Sequence, residues 1–381
     1  MFLAAMTGCG LPDQDTRQKQ NMKDWEEMAE LSAAESPEEL YQKALQEDML
    51  VVYSVSSRTF EAKESFEKDY QGLTVEVKDV RGDDIVNMLL ENYQKENYAC
   101  DVVICSDCDG SLTKELVEPG IVYTYIPQDI KPFMREGHAD HELDFIGEAI
   151  MLCYNTDQFD RQPIQNIWEL TEEQYRGKII MANPLSSFST YGFCSTLCNE
   201  SEQIAEAYLR YTGIELAIED GKNAGEMFWE KVSDNIVFTN SSDEVVEGIG
   251  GQGSGNMSIG IMISSKMRYQ DLGYHFAPIY HLEPFAAVYT PNSVTIAGGS
   301  RSVNTAKLFV RYLLGEADGT GMGIKPYSTK GTWSVRKDVA DGNLVPLDEM
   351  DMVRMDKEHL YRNRDHMIAF WKQILKETSV Q

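Results

Sequence analysis

The sequence predicts an α/β protein of two lobes joined by a hinge, and three observations carry that prediction. First, apolar strand-length runs alternate with helical stretches twice, over residues 49–117 and again over 178–263, the pattern of sheets covered on both faces. Second, a long extended segment at 145–155 (FIGEAIMLCYN) breaks the first alternation and suits passage from one lobe to the other. Third, three apolar runs end in hydroxyl-rich helix starts: 50–58 (LVVYSVSSR), 179–190 (IIMANPLSSFST) and 236–243 (IVFTNSSD). Ligands of open α/β sheets gather at the carboxyl ends of strands. Three such ends, far apart in sequence, predict one cleft between two lobes.

Each element has a local reason. Ser36, Pro37 and Glu39 form a helix start, with Ser36 as N-cap, proline in the first turn and Glu39 closing a capping box, so a helix is expected over 37–47. Strands are expected at 49–54, 73–77 and 101–106, with helices at 59–70, 83–96 and 111–117 between and after them. The second alternation predicts strands at 178–182, 236–238 and 257–263, and helices at 190–211, 223–232 and 243–249. Residues 274–280 and 286–296 read as extended, the latter returning toward the first lobe. An amphipathic helix is expected at 305–314, and a helical C-terminus over 352–376 with Met367, Phe370, Trp371, Ile374 and Leu375 as its apolar stripe. The resulting division is 1–35 as signal remnant and flexible tether, 36–150 with about 283–300 as the first lobe, and 151–282 with about 301–381 as the second.

The chain of 381 residues carries 62 acidic against 34 basic side chains, a net charge of −28. So acidic a surface argues against nucleic acid or an anionic membrane as partner. It does not exclude an anionic ligand, because a pocket is governed by its local groups. Residues 2–8 are short and apolar and end in small residues before Cys9, as at a bacterial lipoprotein cleavage site, although Met6 stands where leucine is commonest. Lipidation at Cys9 is the expectation, with polar residues 11–35 as a flexible tether or, near 25–31, a loose helix.

Cys100, Cys105, Cys108, Cys153, Cys194 and Cys198 are expected to be buried free thiols, since a lone C-x-x-C at 105–108 lacks the second pair a zinc site needs. No metal and no cofactor are expected. Gly248, Gly250 and Gly253 match G-x-G-x-x-G, but they follow a helix and precede a strand, the wrong order for a dinucleotide site. No nucleophile stands at recognisable spacing from a base, so no enzyme is expected.

Candidate ligand groups therefore come from the strand ends. Ser56, Ser57 and Arg58 follow the first run, Ser186, Ser187, Ser189 and Thr190 the second, and Ser242 the third. Hydroxyls and helix-start N–H groups satisfy phosphoryl or carboxylate oxygens, and Arg58 adds a bidentate donor. Ser264, Ser265 and Lys266 form a fourth polar end. Asp107 and Asp109 either accept from a ligand or cap the helix at Ser111.

Taken in order, LVVYS at 50–54, ACDVVI at 99–104, CYN at 153–155, WEL at 168–170, YRGKI at 175–179, ANP at 182–184 and NTAKLF at 304–309 resemble bacterial extracellular solute-binding proteins of ABC importers. The resemblance covers roughly 50–339 and is nearest to the group of ferric-iron, hexose-phosphate, aminoethylphosphonate and thiamine binders. It implies the two-lobed type II periplasmic-binding-protein fold, with the solute held between lobes that close on it. Iron-binding members carry adjacent tyrosines after the strand that corresponds to 257–263; here Ser264 and Ser265 stand there, which suits an organic or phosphoryl oxygen instead. Glu283 falls where a return strand passes the cleft, and is expected to accept from a ligand hydroxyl or amine.

The expected function is capture of a small anionic or zwitterionic solute of phosphorylated or phosphonate type, by a monomer lipid-anchored outside the cytoplasm that serves a membrane permease. The alternatives are a cationic solute (polyamine, thiamine or metal ion) drawn by Asp107, Asp109 and Glu283, and a ligand sensor that signals to a membrane receptor.

Overall fold

In the computed structural model, residues 14–378 are described except 141, 252–256, 318 and 341. Two sheets form the frame. In the first, strands Val75–Asp79, Leu50–Ser54 and Val102–Cys105 run parallel, and Asn292–Ala297 pairs antiparallel with the last of them. Val122–Tyr123 and Leu143–Ile146 complete it along Asn292–Ala297. In the second, Ala149–Asn155 pairs antiparallel with Ile259–Ile263, Ala287–Tyr289 and Phe276–Pro278. Ile179–Ala182 lies parallel between Ile259–Ile263 and Ile236–Thr239, and Met352–Arg354 borders Ala287–Tyr289.

Strand alternation distributes the cores. Leu50, Val52, Val102 and Ile104 point to one face of the first sheet, and Tyr53, Val103 and Cys105 to the other. In the second sheet Ile150, Leu152, Ile179 and Met181 face one core, while Met151, Cys153, Ile180 and Ala182 face the opposite one. Each lobe is thus a three-layer unit with its own buried surface.

The expected extended segment at 145–155 is two strands in different sheets, broken at Gly147 and Glu148. The segment at 286–296 divides in the same way, crossing at Thr290 and Pro291. A third crossing lies around Trp333, whose side chain belongs to the second lobe's core while Tyr327 and Val335 belong to the first. The three crossings are bonded together. Gly147 and Trp333 exchange backbone hydrogen bonds at 2.8 and 2.9 Å, and the Thr290 N–H donates to the Glu148 carbonyl at 2.8 Å.

Four expectations need correction. The helix Val303–Leu313 packs in the first lobe, not the second: Ala306, Phe309 and Leu313 join its core, with Phe309 edge-on to Phe66 at 5.1 Å. Residues 352–354 form a strand, so the C-terminal helices span only Lys357–Arg362 and Arg364–Thr378. The long helix over 190–211 is two, Phe188–Asn199 and Ser201–Thr212.

The tether correction is the largest. Residues Gln14–Ala29 form a helix docked on the first lobe, with Met22, Trp25 and Ala29 buried on one stripe. The Trp25 indole donates to the Ser300 carbonyl at 2.9 Å and its ring packs on Tyr123 at 5.2 Å. So sparse a stripe in a polar segment resembles linker in sequence. Cys9, the expected lipidation site, lies outside the described residues.

Trp25 is only 7% exposed. Exchanging it for Ala should lower the unfolding free energy by about 3–5 kcal/mol, the usual cost of deleting a buried tryptophan. A urea titration of the full chain measures this, and an unchanged midpoint would show that the helix contributes nothing to the first core.

Candidate functional site

The strand ends meet where the lobes face each other. A cavity of about 340 Å³ is lined from the first lobe by Ser56, Ser57, Arg58, Asp79, Arg81 and Asn292. The second lobe supplies Ser186, Ser189, Asp243, Ser265, Lys266 and Arg268, and the crossings supply Glu148 and Thr290. The lobes approach closely beside it, for a Cβ added at Gly82 would meet the Phe188 ring at 2.5 Å.

Arg58 is held on three sides. Its Nε donates to the Ser56 hydroxyl at 3.2 Å, its Nη2 to Glu148 at 2.5 Å, and its guanidinium lies 5.0 Å from the Tyr327 ring centre. Its buried Nη1 has no hydrogen-bond partner among the described residues. A buried donor left unpaired on a charged group is costly, so this atom marks where a ligand oxygen would be most favoured.

Three of the cavity's four cations, Arg58, Lys266 and Arg268, act on one another. Burial pulls the Lys266 ammonium below its ordinary value; Asp243, bonded to it at 2.5 Å, opposes, and Arg268 and Arg58 pull it further down. Burial alone would raise the Asp243 carboxyl, but Lys266, Tyr269 and Arg268 hold it low. Arg268 lies 5.1 Å from the Tyr269 ring centre and donates to the Ser265 carbonyl at 2.8 Å, and it has no ion-pair partner among the described residues. Mutual repulsion among desolvated cations is relieved by an anion placed between them.

The expected residues divide into those in the cavity and those elsewhere. Ser56, Ser57, Arg58, Ser186, Ser189 and Ser265 line it. Ser187 is the N-cap of Phe188–Asn199, and its hydroxyl is occupied by the Thr190 N–H and by the Thr190 hydroxyl at 2.8 Å. Ser242 sits in the first turn of Ser242–Gly250, behind the N-cap Ser241, and its neighbour Asp243 reaches the cavity in its place.

Three more lie away from it. Ser264 is fully buried; it accepts from the Ala149 N–H at 3.0 Å and donates to the Gly331 carbonyl at 2.5 Å, which buckles two crossings together. Glu283 is 48% exposed on the outer face of the second lobe, paired with Arg210 at 3.0 Å and Asn166 at 3.1 Å.

Asp107 lines an adjoining cavity of about 380 Å³ with Glu142, Lys357 and Arg354, which shares Ser106 and Thr290 with the first. It accepts from the backbone N–H groups of Leu112 and Thr113 and from the Thr113 hydroxyl, so it caps that helical turn. Burial pushes its carboxyl up, against the pull of Lys357, and Glu142 adds to the rise.

Arg81, Arg268, Asn292 and Glu148 were missed. The signal for Arg81 and Arg268 was available, since both follow strand ends as Arg58 does. Glu148 lay inside the segment expected to cross between lobes, where its charge stood out in an apolar run.

Two α/β lobes, three crossings and a polar cavity at the strand ends define a two-lobed binding protein, and solved structures share that fold. Apo ferric ion-binding protein A of Pasteurella haemolytica is 16% identical, with a TM-score of 0.61 over 86% of this chain and 97% of that one. Iron-bound HitA of Pseudomonas aeruginosa is 14% identical, with a TM-score of 0.61 over 86% and 99%. The periplasmic binding protein AfuA of Actinobacillus pleuropneumoniae, bound to fructose-6-phosphate, is 17% identical, with a TM-score of 0.63 over 86% and 98%. A search of curated protein sequences finds no match. Residues 59–319 match the family model described as bacterial extracellular solute-binding protein, so the chain belongs to that family. This is the family and the type II periplasmic-binding-protein fold expected from the sequence motifs.

Ser264 serves the crossings and not the cavity. Ser264→Ala should therefore cost about 1–3 kcal/mol, because the Ala149 N–H and the Gly331 carbonyl lose a buried partner. Chemical denaturation measures that loss, and ligand affinity measured alongside should remain within about twofold of the parent protein.

Proposed function

We propose that this protein captures a small oxyanionic solute, anionic or zwitterionic and of phosphorylated or phosphonate type, and delivers it to the permease of an ABC importer. The observation that supports the reading most is the buried Nη1 of Arg58, unpartnered among the described residues, in a cavity that also holds Lys266 and Arg268. Hydroxyls of both lobes surround these cations, which suits a ligand with several oxygens. By the resemblance of the sequence, the pair Ser264 and Ser265 replaces the adjacent tyrosines of iron binders, and only Ser265 reaches the cavity. Solute held by groups of both lobes draws them together, a hinge motion at the three crossings. The protein acts as a monomer without catalysis, lipid-anchored through Cys9 outside the cytoplasm.

A cationic solute is the weaker reading. Asp107 and Glu283, two of the carboxylates expected to attract one, lie outside this cavity and are already paired. Asp109, the third, accepts from the Ser111 N–H and hydroxyl.

A thermal-shift screen across sugar phosphates, phosphonates, polyamines, thiamine and ferric citrate tests the reading. A ligand at about 100 times its Kd should stabilise by about 2.7 kcal/mol. Arg268→Ala should weaken an oxyanion by about 1.5–3 kcal/mol, the worth of a charge-assisted hydrogen bond, while leaving the melting temperature of the unliganded protein nearly unchanged. Shifts produced by cations alone would overturn the anion assignment.

A further inference from the structure

Glu148 stands at the first crossing with its side chain 5% exposed, yet its negative charge faces a cavity lined by Arg58, Arg81, Lys266 and Arg268. One carboxylate oxygen takes Arg58 Nη2 at 2.5 Å, and the other takes Asn292 Nδ2 at 2.7 Å. Its own carbonyl binds the second crossing through Thr290. Both carboxylate oxygens accept, so a neutral amide here would serve only one of the two donors, turn its NH2 toward the other, and leave the buried Arg58 guanidinium without a counter-charge.

The charge matters to the cavity's balance. Four cationic side chains line it, Arg58, Arg81, Lys266 and Arg268, against three carboxylates, Asp79, Glu148 and Asp243. One positive charge is in excess, which matches a ligand of one net negative charge. Without Glu148 the excess would be two.

Resting on the reading of this cavity as an oxyanion site, we propose that Glu148 is a specificity-determining and positioning residue. It is a built-in counter-anion that fixes the Arg58 guanidinium, leaves Nη1 for the ligand, and restrains the affinity for doubly charged ligands. An anion on Nη1 lies on the same guanidinium as the Glu148 carboxylate. At such separation two like charges in a partly desolvated site repel strongly enough to change affinity roughly tenfold or more per ligand charge.

The test uses methyl phosphate, a small phosphomonoester, titrated calorimetrically into the full-length protein at pH 5 and pH 8. Its second ionisation lies near 6, so the two conditions present the monoanion and the dianion. The wild-type protein should bind the two forms within about threefold of each other. Glu148→Gln should bind the dianion roughly tenfold more tightly than wild type and raise the ratio of pH 8 to pH 5 affinity by a similar factor. Glu148→Asp, which keeps the charge, should keep the wild-type ratio.

A residue that only held the crossings together would instead weaken binding equally at both pH values on conversion to Gln, and that result overturns the proposal. Because the wild-type ratio is itself a prediction, a tenfold or greater wild-type preference for the dianion overturns it even if the Gln variant does not fold. If the wild-type protein binds no oxyanion of the screen, the oxyanion reading fails, and the role of Glu148 fails with it. If it binds them but Glu148→Gln leaves the ratio unchanged, only the role of Glu148 fails.

Discussion

The relation between the two lobes depends on one polar clasp, the bonds that converge on residues 147–149. Each lobe buries its own core, so the crossings are what fix the sheets relative to one another. Gly147 is bonded to Trp333, Glu148 to Thr290, and Ala149 to Ser264, which in turn holds Gly331. All three passages of the chain are thereby held at one place. Buried backbone groups must find partners, and here they find them in other crossings, where a sheet would have used its own neighbours. The cavity lies immediately against this clasp, and Glu148 belongs to both.

The protein's net charge and its cavity have opposite signs. A total of −28 describes the surface, where charges are hydrated and screened. In the cavity, Lys266 is desolvated and is pushed against Arg58 and Arg268 in low dielectric. Local repulsion of this kind outweighs the distant field because screening falls least on buried groups. The acidic exterior therefore opposes self-association, and the choice of ligand is left to a handful of side chains.

The sequence carried the frame well and the site unevenly. Parallel buried strands announce themselves as apolar runs, and the break of pattern at 145–155 correctly marked a passage between lobes. Assignment of Val303–Leu313 failed because an amphipathic stripe shows that a helix is buried, but not against which sheet. The helix Gln14–Ala29 was legible only in part, as tether or as loose helix near 25–31, because three buried apolar positions in sixteen residues fall below the pattern of a typical buried helix, and docking on Ser300 and Tyr123 is information from distant sequence. At the strand ends, Ser187 and Ser264 show why hydroxyls alone mislead. A serine after a strand can cap a helix or bridge two backbones as readily as it can face a ligand, and only the direction of its side chain decides. Arginine is the better sequence marker, because its long side chain and fixed donors are costly to bury without a partner. Arg58 was found because it follows a strand end and can bond an oxyanion with two donors, and Arg81 and Arg268 also follow strand ends.

On the proposed reading of the cavity as an oxyanion site, its placement at the clasp has a consequence for what the ligand must be. A ligand shifts the balance between lobe arrangements only by the difference in its contacts with each. One that meets only Ser56, Ser57 and Arg58 gains nothing from the approach of the second lobe. One that also reaches Ser189, Ser265 and Arg268 gains every one of those contacts on approach, and it relieves the repulsion on Lys266 in the same step. Charge therefore selects what enters, while reach selects what closes. A bare oxyanion satisfies the first requirement; an oxyanion carrying a polar body long enough to span the cavity satisfies both.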